Sequence, residues 1–182
     1  MGYAGGSTEN PTYQNIGDHS ETVQIDYDPA VITYAQLLKV FWKANSPTIP
    51  SYSRQYRSAI FYASEDQKEL AAKSKLEEES RLGQTLYTDI EKLDRFYIAE
   101  NYHQKYYLRE TPVLLQEILS IYPKPEDFIN SRATARLNGY LAGYGDPATL
   151  QKELDSLGLS ESGKQRLLEI TSSGLSPVCP VN

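Results

Sequence analysis

Side chains able to do chemistry are few and unevenly placed in this chain. Cysteine occurs once in 182 residues, as Cys179, and histidine twice, as His19 and His103, whereas tyrosine occurs fifteen times against four phenylalanines. From Glu21 to Tyr27 the pattern alternates, with Glu21, Val23, Ile25 and Tyr27 on one face and Thr22, Gln24 and Asp26 on the other. A carboxyl group on the apolar face of a strand, kept neutral by desolvation, can donate a proton. A carboxylate at a strand end can equally bend to solvent, and alternation alone leaves both readings of Glu21 open. His103 is open in the same way: it can orient a carboxylate or a water, or be a satisfied histidine with no role. Most tyrosines are read as half-buried packing whose hydroxyls reach water or a polar site.

The elements that must position these groups follow from pattern and punctuation. Residues 1 to 20, rich in Gly, Asn, Pro and Ser, read as an ordered loop or the end of a strand. Within them Asn10-Pro11-Thr12-Tyr13 has the form of a phosphotyrosine-domain docking signal, which needs an accessible, disordered segment, so in an ordered loop the likeness is coincidental. Asp28-Pro29 closes the strand that starts at Glu21, and Thr33 with Gln36 makes a capping box for a helix whose Leu37, Leu38, Phe41 and Trp42 form an apolar stripe, ended by Asn45 and Pro47. Ala59 to Ala63 is apolar on both faces and is expected to be a central strand. Ser64 with Gln67 opens a long charged helix stopping near Gly83, whose Lys73 to Glu79 run is a solvated face, and Thr85 to Leu93 alternates weakly like an edge strand.

Beyond Arg109 the chain reads as helical. Thr111-Pro112 and Asp146-Pro147 are N-caps followed by proline, Val113, Leu114, Ile118 and Ile121 are spaced for one face, and Ser160 caps a last helix after Gly158. The expected fold is α+β, an α/β sandwich with helices flanking a mixed sheet, divided into a domain over 1–109 and a helical C-terminal extension over 110–182.

Composition excludes several classes. A net charge of −6 without a basic cluster argues against a nucleic-acid partner. No segment approaches the ~18 apolar residues of a membrane span, and no Cys or His cluster has zinc-ligand spacing. One cysteine cannot make an internal disulfide, which points to a reducing, cytoplasmic setting unless a targeting segment precedes the chain.

Five blocks in order, Gly2-Tyr3-Ala4-Gly5-Gly6, Asn10 through Glu21, Val23-Gln24-Ile25-Asp26-Tyr27-Asp28-Pro29, Arg54-Gln55-Tyr56-Arg57-Ser58 and Ala99-Glu100-Asn101-Tyr102-His103-Gln104, give the sequence a further reading. The chain resembles the type A peptide methionine sulfoxide reductases, which reduce the S epimer of methionine sulfoxide, over roughly residues 2 to 109. The resemblance implies the same α+β fold, oxidised methionine in proteins or free methionine sulfoxide as substrate, thioredoxin or another dithiol as reductant, and no cofactor. It also implies roles: Glu21 as proton donor, Tyr13 and Tyr56 gripping the sulfoxide oxygen, and His103 near the site.

The chain departs from that pattern in two places. The family nucleophile lies in a Gly-Cys-Phe-Trp segment ahead of the Gly-Tyr-Ala-Gly-Gly block, and here only Met1 precedes it. The chain is therefore expected to be inactive or nearly so, and to expose apolar surface that the segment would cover, with a non-catalytic module that binds oxidised methionine or a protein partner as the alternative reading. Cys179 resembles the C-terminal resolving cysteines of some members, but with nothing to resolve it is read as a tail thiol; as a substitute nucleophile swinging into the pocket it is disfavoured by the ordering entropy of the tail. Secondly, Ile49-Pro50-Ser51-Tyr52-Ser53-Arg54 replaces an Asn-Asp pair before Gln55, leaving Ser53 or Arg54 to support Tyr56.

Overall fold

The computed structural model describes residues 1–45 and 47–173. It separates into two compact units, Met1–Glu100 and Asn101–Asn182. In the first unit a three-stranded antiparallel sheet has β1 (Gly2–Ala4) at its centre, flanked by β2 (Ser20–Thr22) and β5 (Phe96–Ile98), with Tyr3 opposite both Glu21 and Tyr97. The glycine-rich opening is thus a buried strand: Phe96 and the Tyr97 carbonyl lie 2.3 Å from where a Cβ on Gly2 would stand, so only glycine lets the chain pass.

Parallel strands β3 (Ser58–Tyr62) and β4 (Thr88–Lys92) form a second sheet, joined by α2 (Glu65–Leu82), which makes the pair a βαβ crossover. Helix α1 (Tyr34–Ala44) begins at the expected capping box: Gln36 N donates to Thr33 Oγ1 at 3.3 Å, and Thr33 N to Gln36 Oε1 at 2.8 Å. Ser64 caps α2 through Gln67 N, while Gln67 reaches back one residue further, to Ala63 N, and Gly83 ends the helix at φ 66°. Leu38 and Trp42 of α1, Ile60 of β3, Ala71 of α2 and Leu86 make the core, and the Trp42 indole donates to Ser74 Oγ at 3.0 Å. Burying a leucine or isoleucine such as Leu38, Ile60 or Leu86 contributes about 1.5–3 kcal/mol.

Two strand expectations need correction. The strand from Glu21 to Tyr27 stops at Thr22, and Val23 and Ile25 are 61% and 58% exposed rather than facing a core. The ladder ends there because β1, its partner, is only three residues long and no other described strand covers residues 23 to 27. The run Ala59 to Ala63 is not central: among the described residues β3 pairs with β4 alone, and Phe61 instead packs on Gly5, where a Cβ would lie 2.6 Å from its ring.

The second unit is helical, with α3 (Tyr106–Arg109), α4 (Pro112–Ile121), α5 (Pro125–Asn130), α6 (Arg132–Leu141), α7 (Pro147–Glu153) and α8 (Glu161–Ser172) around a core that includes Leu114, Ile118, Phe128, Leu137 and Leu167. The proline starts and the Asp146 and Ser160 caps fall where expected. Val113 does not share the buried stripe of Leu114 and Ile118 and is 58% exposed, since it stands ~100° round the helix from Leu114. Among the described residues, no helix is long and apolar enough to cross a membrane.

Candidate functional site

Three of the candidate residues meet in the first unit through a fourth, Gln55. Its side-chain amide nitrogen donates to Glu21 Oε1 at 2.7 Å and to Tyr56 Oη at 3.0 Å. Tyr56 Oη lies 3.4 Å from Tyr13 Oη, so the two phenols form a pair. The bond with Tyr13, and then desolvation, push the Tyr56 hydroxyl up to about 12, so it holds its proton more firmly than an ordinary tyrosine, which is itself neutral near pH 7. Both rings are open to ligands, Tyr13 being 39% and Tyr56 49% exposed.

Backbone contacts set this geometry. Glu21 stands on β2 opposite Tyr3, and its N–H donates to the Gln55 carbonyl at 3.0 Å, locking the strand to the segment that carries Tyr56. Ser20 beside it donates through Oγ to the Arg54 carbonyl and accepts from Arg57 Nε, both at 2.8 Å. Arg57 in turn reaches Glu91 and Asp89 on β4; Glu91 raises the affinity of the guanidinium for its proton, and Arg57 holds the Glu91 carboxyl below its usual range. Arg57, next in sequence to Tyr56 and bonded to Ser20 beside Glu21, therefore ties the two sheets together.

Tyr13 is held from the other side. Thr12 and Asn15 exchange backbone bonds across a tight turn, and the Glu100 carboxylate accepts from Tyr13 N at 3.0 Å and from Tyr3 Oη at 2.6 Å, pinning the turn to the buried centre of the sheet. The loop leading into that turn is fastened by Asp18, which accepts from the backbone and hydroxyl groups of both Ser7 and Thr8; these bonds, those to the two backbone N–H groups foremost, hold its carboxyl far below the usual carboxylate range. His19, fully buried, accepts at Nδ1 from Gly6 N, which puts its hydrogen on Nε2 for the Thr8 carbonyl 2.8 Å away.

The support of Tyr56 comes from Gln55 and Tyr13 and not from the neighbours that the sequence suggested: Arg54 donates to the Asp18 and Gly5 carbonyls, and Ser53 is engaged with Ser51. His103 belongs to the second unit, in a 3-10 turn over Asn101–His103, with its ring centroid 4.3 Å from that of Tyr102. Cys179 lies outside the described residues. Gln55, Glu100 and Arg57 stood inside the quoted blocks without a role; an amide between a carboxylate and a phenol leaves no mark in periodicity. Among the described residues no cluster of three or more His, Cys, Asp or Glu could hold a metal.

A carboxyl group and a pair of exposed phenols, linked through one amide on an α+β frame, make a site that can grip and protonate a polar oxygen. The chain belongs to the peptide methionine sulfoxide reductase family, oxidoreductases acting on methionine sulfoxide: the family model described as "Peptide methionine sulfoxide reductase" matches residues 1–137, and "Selenoprotein methionine sulfoxide reductase A, helical domain" matches residues 124–171. It is similar to a peptide methionine sulfoxide reductase of Drosophila melanogaster, 41% identical over 167 residues covering 91% of this chain and 67% of that protein, and to peptide methionine sulfoxide reductase A5 of Arabidopsis thaliana, 41% identical over 161 residues covering 85% and 62%. The chain thus spans about three fifths to two thirds of the length of these curated relatives. The crystal structure of Mxr1 from Saccharomyces cerevisiae in reduced form superposes with a TM-score of 0.56 at 32% identity, covering 61% of this chain and 69% of that one, and carries the same α+β fold.

Proposed function

We propose that the Glu21, Tyr13 and Tyr56 group binds the oxygen of methionine S-sulfoxide and protonates it during reduction. The observation that carries this reading is the single Gln55 amide that joins the carboxyl group to the phenol pair. In the reaction a thiolate attacks the sulfoxide sulfur, the sulfur–oxygen bond breaks, and one proton from Glu21 accompanies the oxygen onto the thiol as a sulfenic acid, releasing the thioether. A dithiol of the thioredoxin type would then reduce the sulfenic acid with loss of water. A reducing, cytoplasmic setting suits that chemistry. Oxidised methionine in proteins is the substrate class.

Among the described residues no thiolate stands in this cluster, since the one cysteine of the chain, Cys179, lies outside them. We therefore expect the chain by itself to bind the sulfoxide and turn it over barely or not at all. That single-cysteine composition also favours a second reading, recognition of oxidised methionine without turnover. The test is reduction of a dabsyl-labelled methionine S-sulfoxide under excess dithiothreitol, with NMR titration of both sulfoxide epimers. Selective binding of the S epimer, weakened in Tyr13→Phe and Tyr56→Phe, supports the oxygen site; equal binding of both epimers refutes it. Turnover that disappears in Cys179→Ser would make Cys179 the nucleophile.

A further inference from the structure

Both hydrogens of the Gln55 amide nitrogen are committed to the site, one facing Glu21 Oε1 at 2.7 Å and the other facing Tyr56 Oη at 3.0 Å. Its backbone is tied to the strand that carries Glu21, since its carbonyl accepts from Glu21 N at 3.0 Å. An amide nitrogen only donates, so each oxygen it meets must act as acceptor. For a neutral carboxyl group that makes Oε1 the carbonyl oxygen and puts the proton on Oε2. For the phenol it fills a lone pair and turns the O–H away, toward Tyr13 Oη or a ligand in the open face.

We propose that Gln55 is a positioning residue that aims the protons of Glu21 and Tyr56 at the sulfoxide oxygen, and so makes the site select sulfoxide over thioether. This rests on the reading of the site given above. A glutamine serving only as filler would be replaced without loss by methionine, which has the same length and no N–H. A proton-aiming glutamine would not be, and the loss would fall on ligands that carry the oxygen.

The experiment is an NMR titration of the full chain and of Gln55→Met and Gln55→Glu with two probes, N-acetyl-methionine S-sulfoxide methylamide and the corresponding thioether. The glutamate variant keeps length and polarity but, when ionised, offers only acceptors. The expected result is a preference of the native chain for the sulfoxide that falls about three- to tenfold in both variants, the range of one or two neutral hydrogen bonds, while thioether affinity stays constant and so reports an intact fold. Preference retained in both variants overturns the role of Gln55 and leaves the oxygen site standing. Equal weakening of both probes means that Gln55 is structural, and again overturns the proposal. No preference in the native chain overturns the oxygen site and this proposal together.

Discussion

Replacing Arg57 with methionine tests whether the two sheets of the first unit are held in register by one guanidinium. The side chain is 8% exposed; Nε donates to Ser20 Oγ at 2.8 Å, Nη2 to Glu91 Oε2 at 2.7 Å, and Nη1 to Glu91 Oε1 at 2.5 Å and Asp89 Oδ2 at 2.7 Å. Methionine still fills the space over the Phe61 ring, 5.7 Å from the guanidinium carbon, so the loss is of charge and donors. Glu91 is 35% exposed and Asp89 56%, which limits each contact. The two-pronged bond to Glu91 is worth about 2 kcal/mol, that to Ser20 about 1 kcal/mol, and that to Asp89 less than about 1 kcal/mol. The total is roughly 3 kcal/mol. Each kcal/mol moves the thermal midpoint by about 4–8 °C in a unit of this size and by about 2–4 °C in a block the size of the whole chain, so scanning calorimetry should show a fall of roughly 12 °C or more where the unit melts by itself and roughly 6 °C or more where the chain melts as one. A fall of less than about 4 °C would refute the tie between the sheets. The difference should also depend on pH. Arg57 lowers the Glu91 carboxyl below its ordinary value of 4.5, so the stabilisation is complete above that value and lost as pH falls through the folded-state value; native and variant midpoints should converge in acid.

Two further substitutions probe the frame. Gly5→Ala places a methyl group at φ 79°, 2.6 Å from the Phe61 ring and 2.7 Å from Arg57 Nη2, and should cost at least about 1–2 kcal/mol, seen as a lower denaturant midpoint with an unchanged slope. Val23→Lys combined with Ile25→Lys should raise the monomeric fraction in light scattering at high protein concentration, because the two side chains make an exposed alternating apolar row; unchanged association would show that this row is not the sticky surface.

Helix boundaries were legible because their signals are local: a hydroxyl three residues ahead of a glutamine, as at Thr33 and Ser64, or a proline after a cap, as at Thr111 and Asp146. Strands were legible only where length supported them. The alternation of Val23 and Ile25 has the form of a half-buried strand, but burial depends on a partner that periodicity cannot supply, and β1 is too short to extend that far. At Gly2–Ala4 composition left an ordered loop and the end of a strand both open; the segment is a strand, and Gly2 is small because Phe96 and the Tyr97 carbonyl crowd it. In the candidate site, Glu21, Tyr13 and Tyr56 were singled out by resemblance, and alternation supported only Glu21. The contacts that organise them, from Gln55, Arg57 and Glu100, link residues up to 97 apart in the chain and cannot be read from any window of sequence.

Trp42 has an optical consequence. It is the only tryptophan of the chain, packed edge-on to Phe41 with ring centroids 4.9 Å apart in the core of the first unit. Indole emission therefore follows the melting of that unit alone, whereas far-ultraviolet ellipticity draws on helices of both. Coincident curves would identify one cooperative block. Curves that part would mean that the chain loses its structure in two instalments, and that a single unfolding free energy has no meaning for it.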